Sequence, residues 1–199
     1  MPPEAPASRT VYTVGHSHHA LDHFLSLLAA ANITAVADVR STPYSRRNPQ
    51  FNREALKAAL AERGIAYVPM EAQLGGRPPD PSLWRFERPD YERIAATPNF
   101  CEGLGRIETG AATQRIALMC AERDPLDCHR CLLVGRALKE RGTCVLNILG
   151  DGALEDQSAT EARLLAWAHV ASADMFDTPA TRLADAYRKR AGWNWGERT

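Results

Sequence analysis

The chain has 199 residues, 45% of them hydrophobic, and its 24 basic side chains balance 24 acidic ones. That size suits one domain with its own core, and the zero net charge excludes a uniformly basic protein that binds nucleic acid or anionic membranes by charge alone. Five cysteines without a secreted disulfide pattern, and the lack of an apolar run long enough to span a bilayer, predict a cytoplasmic protein.

Apolar runs and helical periodicities alternate over the first third of the chain, after a Pro- and Ala-rich start at 1–8 that we expect to be flexible. Asn52 suits the N-cap of the second helix, and Gly64 suits its end. The predicted elements are strands at 10–14, 33–39 and 65–69 and helices at 21–32 and 52–63.

The remainder begins with a Gly- and Pro-rich insertion at 71–99, in which Trp84 and Phe86 favour an ordered lid or a dimer contact. The apolar run at 116–119 predicts a central strand, and Asp124 with Pro125 predicts the start of a helix that ends at Gly142. Further elements are a helix at 100–109, a strand at 143–149, and helices at 159–173 and 181–190 before a Trp-rich tail. We therefore predict a single α/β domain at 9–199, with a parallel, Rossmann-like doubly wound sheet of about five strands and helices on both faces.

Polar residues cluster where the predicted strands end. These clusters are His16 with Ser17, Asp38 with Arg40 and Ser41, the loop after Tyr67, and Cys120 and Glu122 with Cys128, His129 and Arg130. The carboxyl ends of parallel strands share one rim, where the ligands of doubly wound folds bind. A helix start adds unpaired backbone N–H groups, which favour anions and lower thiol pKa values. The sequence thus predicts a pocket at this rim.

Four motifs follow one another along the chain. They are Val14-Gly15-His16-Ser17, then Asp38-Val39-Arg40-Ser41 with Pro43, Ser45 and Arg46, then Leu74-Gly75-Gly76, and finally Met119-Cys120-Ala121-Glu122 with Cys128-His129-Arg130. In this order they resemble the signature of the DUF 488 family from about Tyr12 to Gly152. The resemblance implies the α/β fold and a site built on these motifs. Two positions depart from it, because Asn147 stands where relatives often have His and Cys131 where many have Ser.

Two pairs of titratable side chains are candidates for catalysis. Asp38 and Glu122 are candidate general bases, since a carboxylate can activate water, and His16 and His129 are candidate acids. Asp38 and His16 also have structural alternatives. Asp38 could pair with a neighbouring arginine, and His16 could cap a helix.

The predicted binding residues favour a phosphate-bearing ligand. Arg40, Arg46 and Arg130 are expected to form one anion site, unless they only neutralise buried carboxylates. The full substrate-binding set is Ser17, Arg40, Ser41, Tyr44, Ser45, Arg46, Tyr67, Gly75, Gly76, Cys120, Cys128 and Arg130. The aromatic residues suited to stack on a base are Tyr44, Phe51, Tyr67 and Trp84. A nucleotide or a nucleic acid, including DNA, is the expected partner.

Hydrolysis of an N-glycosidic bond is the most specific hypothesis, because one carboxylate and an anion clamp suffice and no cofactor motif is present. A DNA glycosylase-like enzyme would require the target base to leave the duplex stack. The alternative from another class is a non-catalytic nucleotide- or nucleic-acid-binding module, in which binding survives the loss of Asp38 and Glu122.

The cysteines support a third reading, because Cys128 and Cys131 form a CxxC at the predicted helix start, as in thiol redox proteins. No second CxxC or HxxxH completes a tetrahedral ligand set, so the sequence predicts no metal site. Cys120 is followed six positions later by Leu126 instead of Arg, which excludes a phosphatase loop. We expect Cys120 and Cys128 to be free thiols that pack or polarise.

Overall fold

The computed structural model describes residues 9–169 and 178–192. The flexible start expected at 1–8, the last residues of the helix expected at 159–173 and the Trp-rich tail lie outside these ranges. Within them, no helix has the length and apolar character needed to cross a membrane.

The strands of the described residues form a six-stranded central sheet and a small hairpin. They are β1 Thr10–Gly15, β2 Ala35–Asp38, β3 Ala66–Pro69, β4 Trp84–Arg85, β5 Arg88–Pro89, β6 Ile116–Cys120, β7 Cys144–Ile148 and β8 Leu154–Asp156. The central sheet has the order β3-β2-β6-β1-β7-β8, and β4 pairs with β5. The first five strands of that order are parallel, which confirms the predicted sheet. The antiparallel edge strand β8 was not predicted; it pairs with β7 because Gly152, at φ 89°, lets the chain turn back sharply.

Helices cover both faces of the sheet, as predicted. They are α1 Leu21–Ala30, α2 Arg53–Ala61, α3 Glu71–Leu74, α4 Tyr91–Ala95, α5 Pro98–Gly110, α6 Arg136–Glu140, α7 Gln157–Ala168 and α8 Pro179–Arg190. A π-helical segment, Arg130–Gly135, leads directly into α6.

The central strand β6 is buried along its whole length, which explains its uninterrupted apolar sequence. Neighbouring side chains of a strand point to opposite faces, and here Met119 packs with Leu28 of α1 and Leu56 of α2. On the other face, Leu118 lies in the core formed with α5 and the π-helical segment, which includes Leu104.

The carboxyl ends of β1, β2 and β6 lie side by side. Gly15 pairs with Cys120, and the Val39 N–H donates to the Met119 carbonyl at 3.1 Å. Gly15, Val39 and Cys120 therefore share one rim, which confirms that the polar clusters after these three strands lie at the same edge of the sheet. The chain leaves β1 and β2 toward one face of the sheet and leaves β6 toward the other, and a crevice forms at such a change of direction.

The helix predicted to begin at Asp124 and Pro125 begins later. The Asp124 carboxylate accepts the Leu126 N–H at 2.8 Å, but it caps only a short 3₁₀ turn, Pro125–Asp127. Cys128 then has an extended backbone, and its carbonyl accepts the N–H groups of Cys131 and Leu132. Cys128 is therefore the residue that precedes the helix, and its Sγ accepts the Arg130 N–H at 3.4 Å.

The insertion at 71–99 is ordered and contains α3, the β4–β5 hairpin and α4. Its aromatic residues have different roles: Trp84 Nε1 donates to the Pro78 carbonyl at 2.8 Å, whereas Phe86 is 88% exposed at the hairpin tip. The segments on either side of the hairpin bring Gly76 and Tyr91 to the rim.

Candidate functional site

A cavity of about 290 Å³ opens at the carboxyl ends of β2 and β6; we call it the rim pocket. The predicted site residues that line it are Arg40, Ser41, Gly76, Cys120, Glu122 and His129. Sequence reasoning had brought these positions to one rim, and the structure places them around one cavity.

Asp38 is enclosed beneath the rim pocket and is only 1% exposed. Its two oxygens accept a bidentate pair from Arg40, at 2.9 Å to Nε and 2.6 Å to Nη2, and the Tyr67 hydroxyl at 2.7 Å. Burial and the hydrogen bond to Asp38 raise the pKa of Tyr67. Of the two readings of Asp38, the geometry favours the structural ion pair, because its lone pairs already have partners.

His16 holds Arg40 in place. Its Nε2 accepts from Arg40 Nη1 at 3.3 Å, its Nδ1 donates to the Ser17 carbonyl at 2.9 Å, and its ring stacks on Phe51 with centroids 4.4 Å apart. Burial, reinforced by the positive charge of Arg40, lowers the pKa of His16 to about 4. A neutral imidazole with both nitrogens engaged is poorly suited to the acid role that the sequence suggested.

Ser17 contacts its neighbours through its backbone carbonyl and N–H groups and not through its hydroxyl group. Its N–H donates to the Ala121 carbonyl at 2.9 Å, and its φ of 48° turns the chain away from β1. Phe51 and Tyr67 are likewise engaged in internal contacts, with His16 and Asp38, and neither lines the rim pocket.

Arg130 was predicted to belong to an anion site, but it does not line the rim pocket. The side chain is fully buried, and Nη1 donates to the Glu122 carbonyl at 2.6 Å and Nη2 to the Arg123 carbonyl at 3.0 Å. Nε donates to Thr13 Oγ1 at 3.3 Å. A Cβ on Gly15 would lie 1.8 Å from the Glu122 oxygen, so this close approach requires glycine. Arg130 thus holds the loop after β6 and does not face a ligand.

The loop at 44–46 lies outside the rim pocket. Tyr44 is 62% exposed and Arg46 is exposed, and neither lines the cavity. The Ser45 hydroxyl accepts the N–H groups of Arg47 and Asn48. The structure therefore does not bring Arg40, Arg46 and Arg130 together, because one is at the pocket, one is on the surface and one is in the core.

The Leu74-Gly75-Gly76 motif brings the insertion against the rim. Ser41 Oγ accepts the Arg77 N–H at 2.9 Å. A Cβ on Gly75 would meet the Glu71 carbonyl oxygen at 2.4 Å, and one on Gly76 would meet His129 Cγ at 2.5 Å. A side chain at either glycine would prevent this close packing. Gly76 packs directly against the His129 ring and restricts its position.

Two thiols and an imidazole meet at the floor of the rim pocket. His129 Nδ1 lies 3.5 Å from Cys120 Sγ and 3.9 Å from Cys128 Sγ, while Nε2 is 2.8 Å from the Val39 carbonyl oxygen. The three ligand atoms lie within 4.8 Å of one another, a grouping that could hold a metal ion. We call Cys120, Cys128 and His129 the thiol–imidazole cluster.

The side chains of the thiol–imidazole cluster shift one another's pKa values. Burial alone would raise the pKa of Cys128, but the adjacent Cys120 thiol and the charge of Arg130 outweigh it and lower that pKa well below its ordinary value. The same contact with Cys128, together with burial, raises the pKa of Cys120. Burial opposes the imidazolium, yet the Cys128 sulfur stabilises it and raises the pKa of His129. With both nitrogens engaged, His129 is not placed to protonate a ligand.

Glu122 is the predicted general base that lines the rim pocket. The side chain is partly open to solvent, and Oε2 accepts the Cys120 S–H at 3.0 Å. Partial burial, followed by the proximity of Cys128, raises the pKa of Glu122.

Cys128 and Cys131 of the CxxC form no disulfide in this structure, where all five cysteines are free. Cys131 points to a separate core cluster that contains Leu164, and its Sγ accepts from Gln157 Nε2 at 3.3 Å. Burial raises the pKa of Cys131 to about 12, which opposes formation of a reactive thiolate. Cys128 Sγ lies in one group with Cys120 Sγ and His129 Nδ1, and this group does not include Cys131.

Sequence reasoning missed several residues of the rim pocket. They are Thr42, Arg77, Tyr91, Ala121 and Asp127. Ala121 lies within a recognised motif, and Thr42 and Arg77 adjoin others, so the sequence carried a signal for these three positions. The sequence carried no signal for Tyr91, because only the path of the insertion brings this residue to the pocket. Asp127 forms an ion pair with Arg190 of α8.

A family model described as "Domain of unknown function DUF488" matches residues 20–137, more than half of the chain. The chain belongs to the DUF488 family. The DUF488 match includes the rim pocket residues and excludes the Val14–Ser17 motif and β7, so it is shorter than the resemblance at about 12–152. Comparisons of this DUF488 protein with curated proteins and with solved structures gave no match.

Proposed function

We propose that this DUF488 protein is a hydrolase that uses Glu122 as a general base on a phosphate-bearing ligand of nucleotide size. One observation carries the proposal: Glu122 and Arg77 line the same open cavity. A base and a cation at one cavity are the minimum that the activation of water beside an anionic ligand requires.

Glu122 fits the role of base because it is held and is also accessible. The Cys120 S–H donates to Oε2 at 3.0 Å, and the Glu122 side chain is exposed to solvent at the pocket. Asp38, the other predicted base, has both oxygens engaged by Arg40 and Tyr67. Glu122 is therefore the predicted base that lines the pocket, whereas the other carboxylate of the lining, Asp127, is paired with Arg190.

Arg77 fits the role of anion contact. Its side chain is exposed and forms no ion pair with any residue in the described ranges. Arg40 adds positive charge to the pocket lining, although Asp38 neutralises much of it. An arginine without a carboxylate partner at a pocket mouth can bind phosphate in bidentate fashion.

The pocket dimensions favour a nucleoside phosphate. A cavity of about 290 Å³ lies at the lower end of the range for small-molecule sites, and Tyr91 supplies an aromatic surface for a base. Hydrolysis of the N-glycosidic bond is the specific reaction that we propose: Glu122 takes a proton from water, and the water oxygen bonds to the anomeric carbon while the N–C bond breaks. The bonding electron pair leaves with the base, which takes up a proton from solvent. A substrate within duplex DNA would have to present a flipped nucleotide.

The test is release of free base, followed by chromatography, from nucleoside monophosphates and short single-stranded oligonucleotides. Glu122→Gln should lower turnover by about 100-fold or more and leave ligand affinity nearly unchanged, since loss of a general base has that size of effect. Glu102→Gln, an exposed carboxylate on α5, is the matched control and should be fully active. Binding without turnover in the wild type would favour the non-catalytic binding module, and full activity of Glu122→Gln would refute the proposed base.

A further inference from the structure

We propose that the thiol–imidazole cluster is a zinc site, with Cys120 Sγ, Cys128 Sγ and His129 Nδ1 as its three protein ligands. The inference goes beyond the proposed hydrolysis and does not depend on it, because the three side chains would bind the metal whether or not the pocket is catalytic.

The spacing of the ligand atoms fits tetrahedral zinc. Bonds of about 2.3 Å to sulfur and about 2.0–2.1 Å to nitrogen place a sulfur and a nitrogen ligand about 3.6 Å apart in a tetrahedral site. His129 Nδ1 lies 3.5 Å from Cys120 Sγ and 3.9 Å from Cys128 Sγ. Both nitrogen-to-sulfur distances are thus within a few tenths of an ångström of the tetrahedral value, and the three ligand atoms lie within 4.8 Å of one another.

The orientation of His129 is that of a metal-binding histidine. Its Nε2 donates to the Val39 carbonyl at 2.8 Å, which leaves Nδ1 directed at the two sulfurs. Metal-bound histidines almost always donate their other ring N–H to such an acceptor. Gly76 packs against the ring so closely that a Cβ there would lie 2.5 Å from Cγ, so the imidazole cannot swing away.

The fourth coordination position faces the rim pocket. Cys120 and His129 line the cavity and Cys128 lies behind them, 1% exposed. Glu122 Oε2 is 3.0 Å from Cys120 Sγ, close enough to ligate directly or to hold a bound water. Three protein ligands with one open position are typical of catalytic zinc, whereas structural zinc usually has four.

Charge and ligand type select the metal. Two thiolates neutralise a divalent ion, so the buried charge of Arg130 nearby does not oppose binding. Sulfur and imidazole favour zinc over magnesium or calcium, which require oxygen ligands. The ligands come from the end of β6 and from the residues just before the π-helical segment, a spacing that differs from CxxC and HxxxH patterns.

The experiment measures zinc directly in the full chain. Protein purified without chelators should contain one zinc ion per chain, measured by inductively coupled plasma mass spectrometry. After the zinc is removed, the protein should bind Co²⁺ and show thiolate-to-cobalt charge-transfer absorption. Cys120→Ser and Cys128→Ser should each weaken zinc affinity by about 100-fold or more, measured against a chromophoric chelator, because even loss of an outer partner costs 10–100-fold. Cys131→Ser is the matched control, since this thiol faces the other core cluster, and it should bind zinc like the wild type.

Two results would overturn the zinc site. One is wild-type protein that holds no zinc after zinc addition and shows no charge-transfer band with Co²⁺; this measurement needs no variant and is unaffected by folding defects. The other is loss of zinc in Cys131→Ser equal to that in Cys128→Ser. Base release from nucleotides is assayed separately, so its absence would refute the proposed hydrolysis and leave the zinc measurements standing.

Discussion

Arg130→Met should destabilise the protein by about 3 kcal/mol, because the guanidinium holds the loop after β6. Nη1 and Nη2 donate to the carbonyls of Glu122 and Arg123 at 2.6 and 3.0 Å. Hydrogen bonds to a charged group contribute about 1.5–3 kcal/mol each, so the two together contribute about 3–6 kcal/mol. Burial of the methionine and removal of a buried charge offset part of that loss. We expect the melting temperature to fall by about 6–12 °C for a chain of this length.

Urea unfolding and thermal melting of wild type, Arg130→Met and Arg46→Met test this reasoning. Arg46 is exposed, so its replacement should change the free energy of unfolding by less than about 0.5 kcal/mol. If Arg130→Met melts within about 2 °C of the wild type, the inferred role of Arg130 in holding the loop is wrong.

Three further predictions concern groups around the rim pocket. Gly76→Ala should displace the His129 ring and weaken zinc binding by about 10-fold or more, measured by chelator competition, while an unchanged affinity would show that the ring position is not required. The pKa of His16 is lowered to about 4 in the folded chain, so protonation of this side chain favours the unfolded chain. The stability that neutral His16 contributes is therefore complete above about pH 6.5 and declines as the pH falls toward 4. Between about pH 7.5 and 5 this group should remove about 2 kcal/mol of the free energy of unfolding, and His16→Gln should flatten that slope in urea titrations. Asp38→Asn leaves Arg40 buried without its carboxylate and should lower the free energy of unfolding by about 3 kcal/mol or more, whereas a stable Asp38→Asn would contradict the structural role of this carboxylate.

The fold could be predicted because it depends on local patterns. An apolar run such as Ile116–Cys120 suits a strand buried on both faces, and alternation with helices implies a parallel sheet. The shared rim of Gly15, Val39 and Cys120 followed from that topology. The edge strand β8 escaped prediction because it is short and its pairing depends on a glycine turn.

The roles of individual site residues could not be predicted to the same degree, because burial and hydrogen-bond partners are tertiary properties. Arg46 and Arg130 are the same residue type near the same rim, yet one is exposed and the other is 0% exposed. Arg77 reaches the pocket because Ser41 holds its backbone, which is a contact between distant segments. The cluster of Cys120 with Cys128 and His129 forms because the helix begins after Cys128, one turn later than Asp124 and Pro125 indicate.

The central claim is that the rim pocket binds a phosphate-bearing ligand, and calorimetric titration with nucleoside monophosphates tests it most directly. We predict saturable binding by the wild type and by Arg46→Met, and affinity about 10-fold or more weaker for Arg77→Met, since a charged hydrogen bond contributes about 1.5–3 kcal/mol. Equal affinity in Arg77→Met and the wild type, or no binding of any nucleoside monophosphate to the wild type, would contradict the claim.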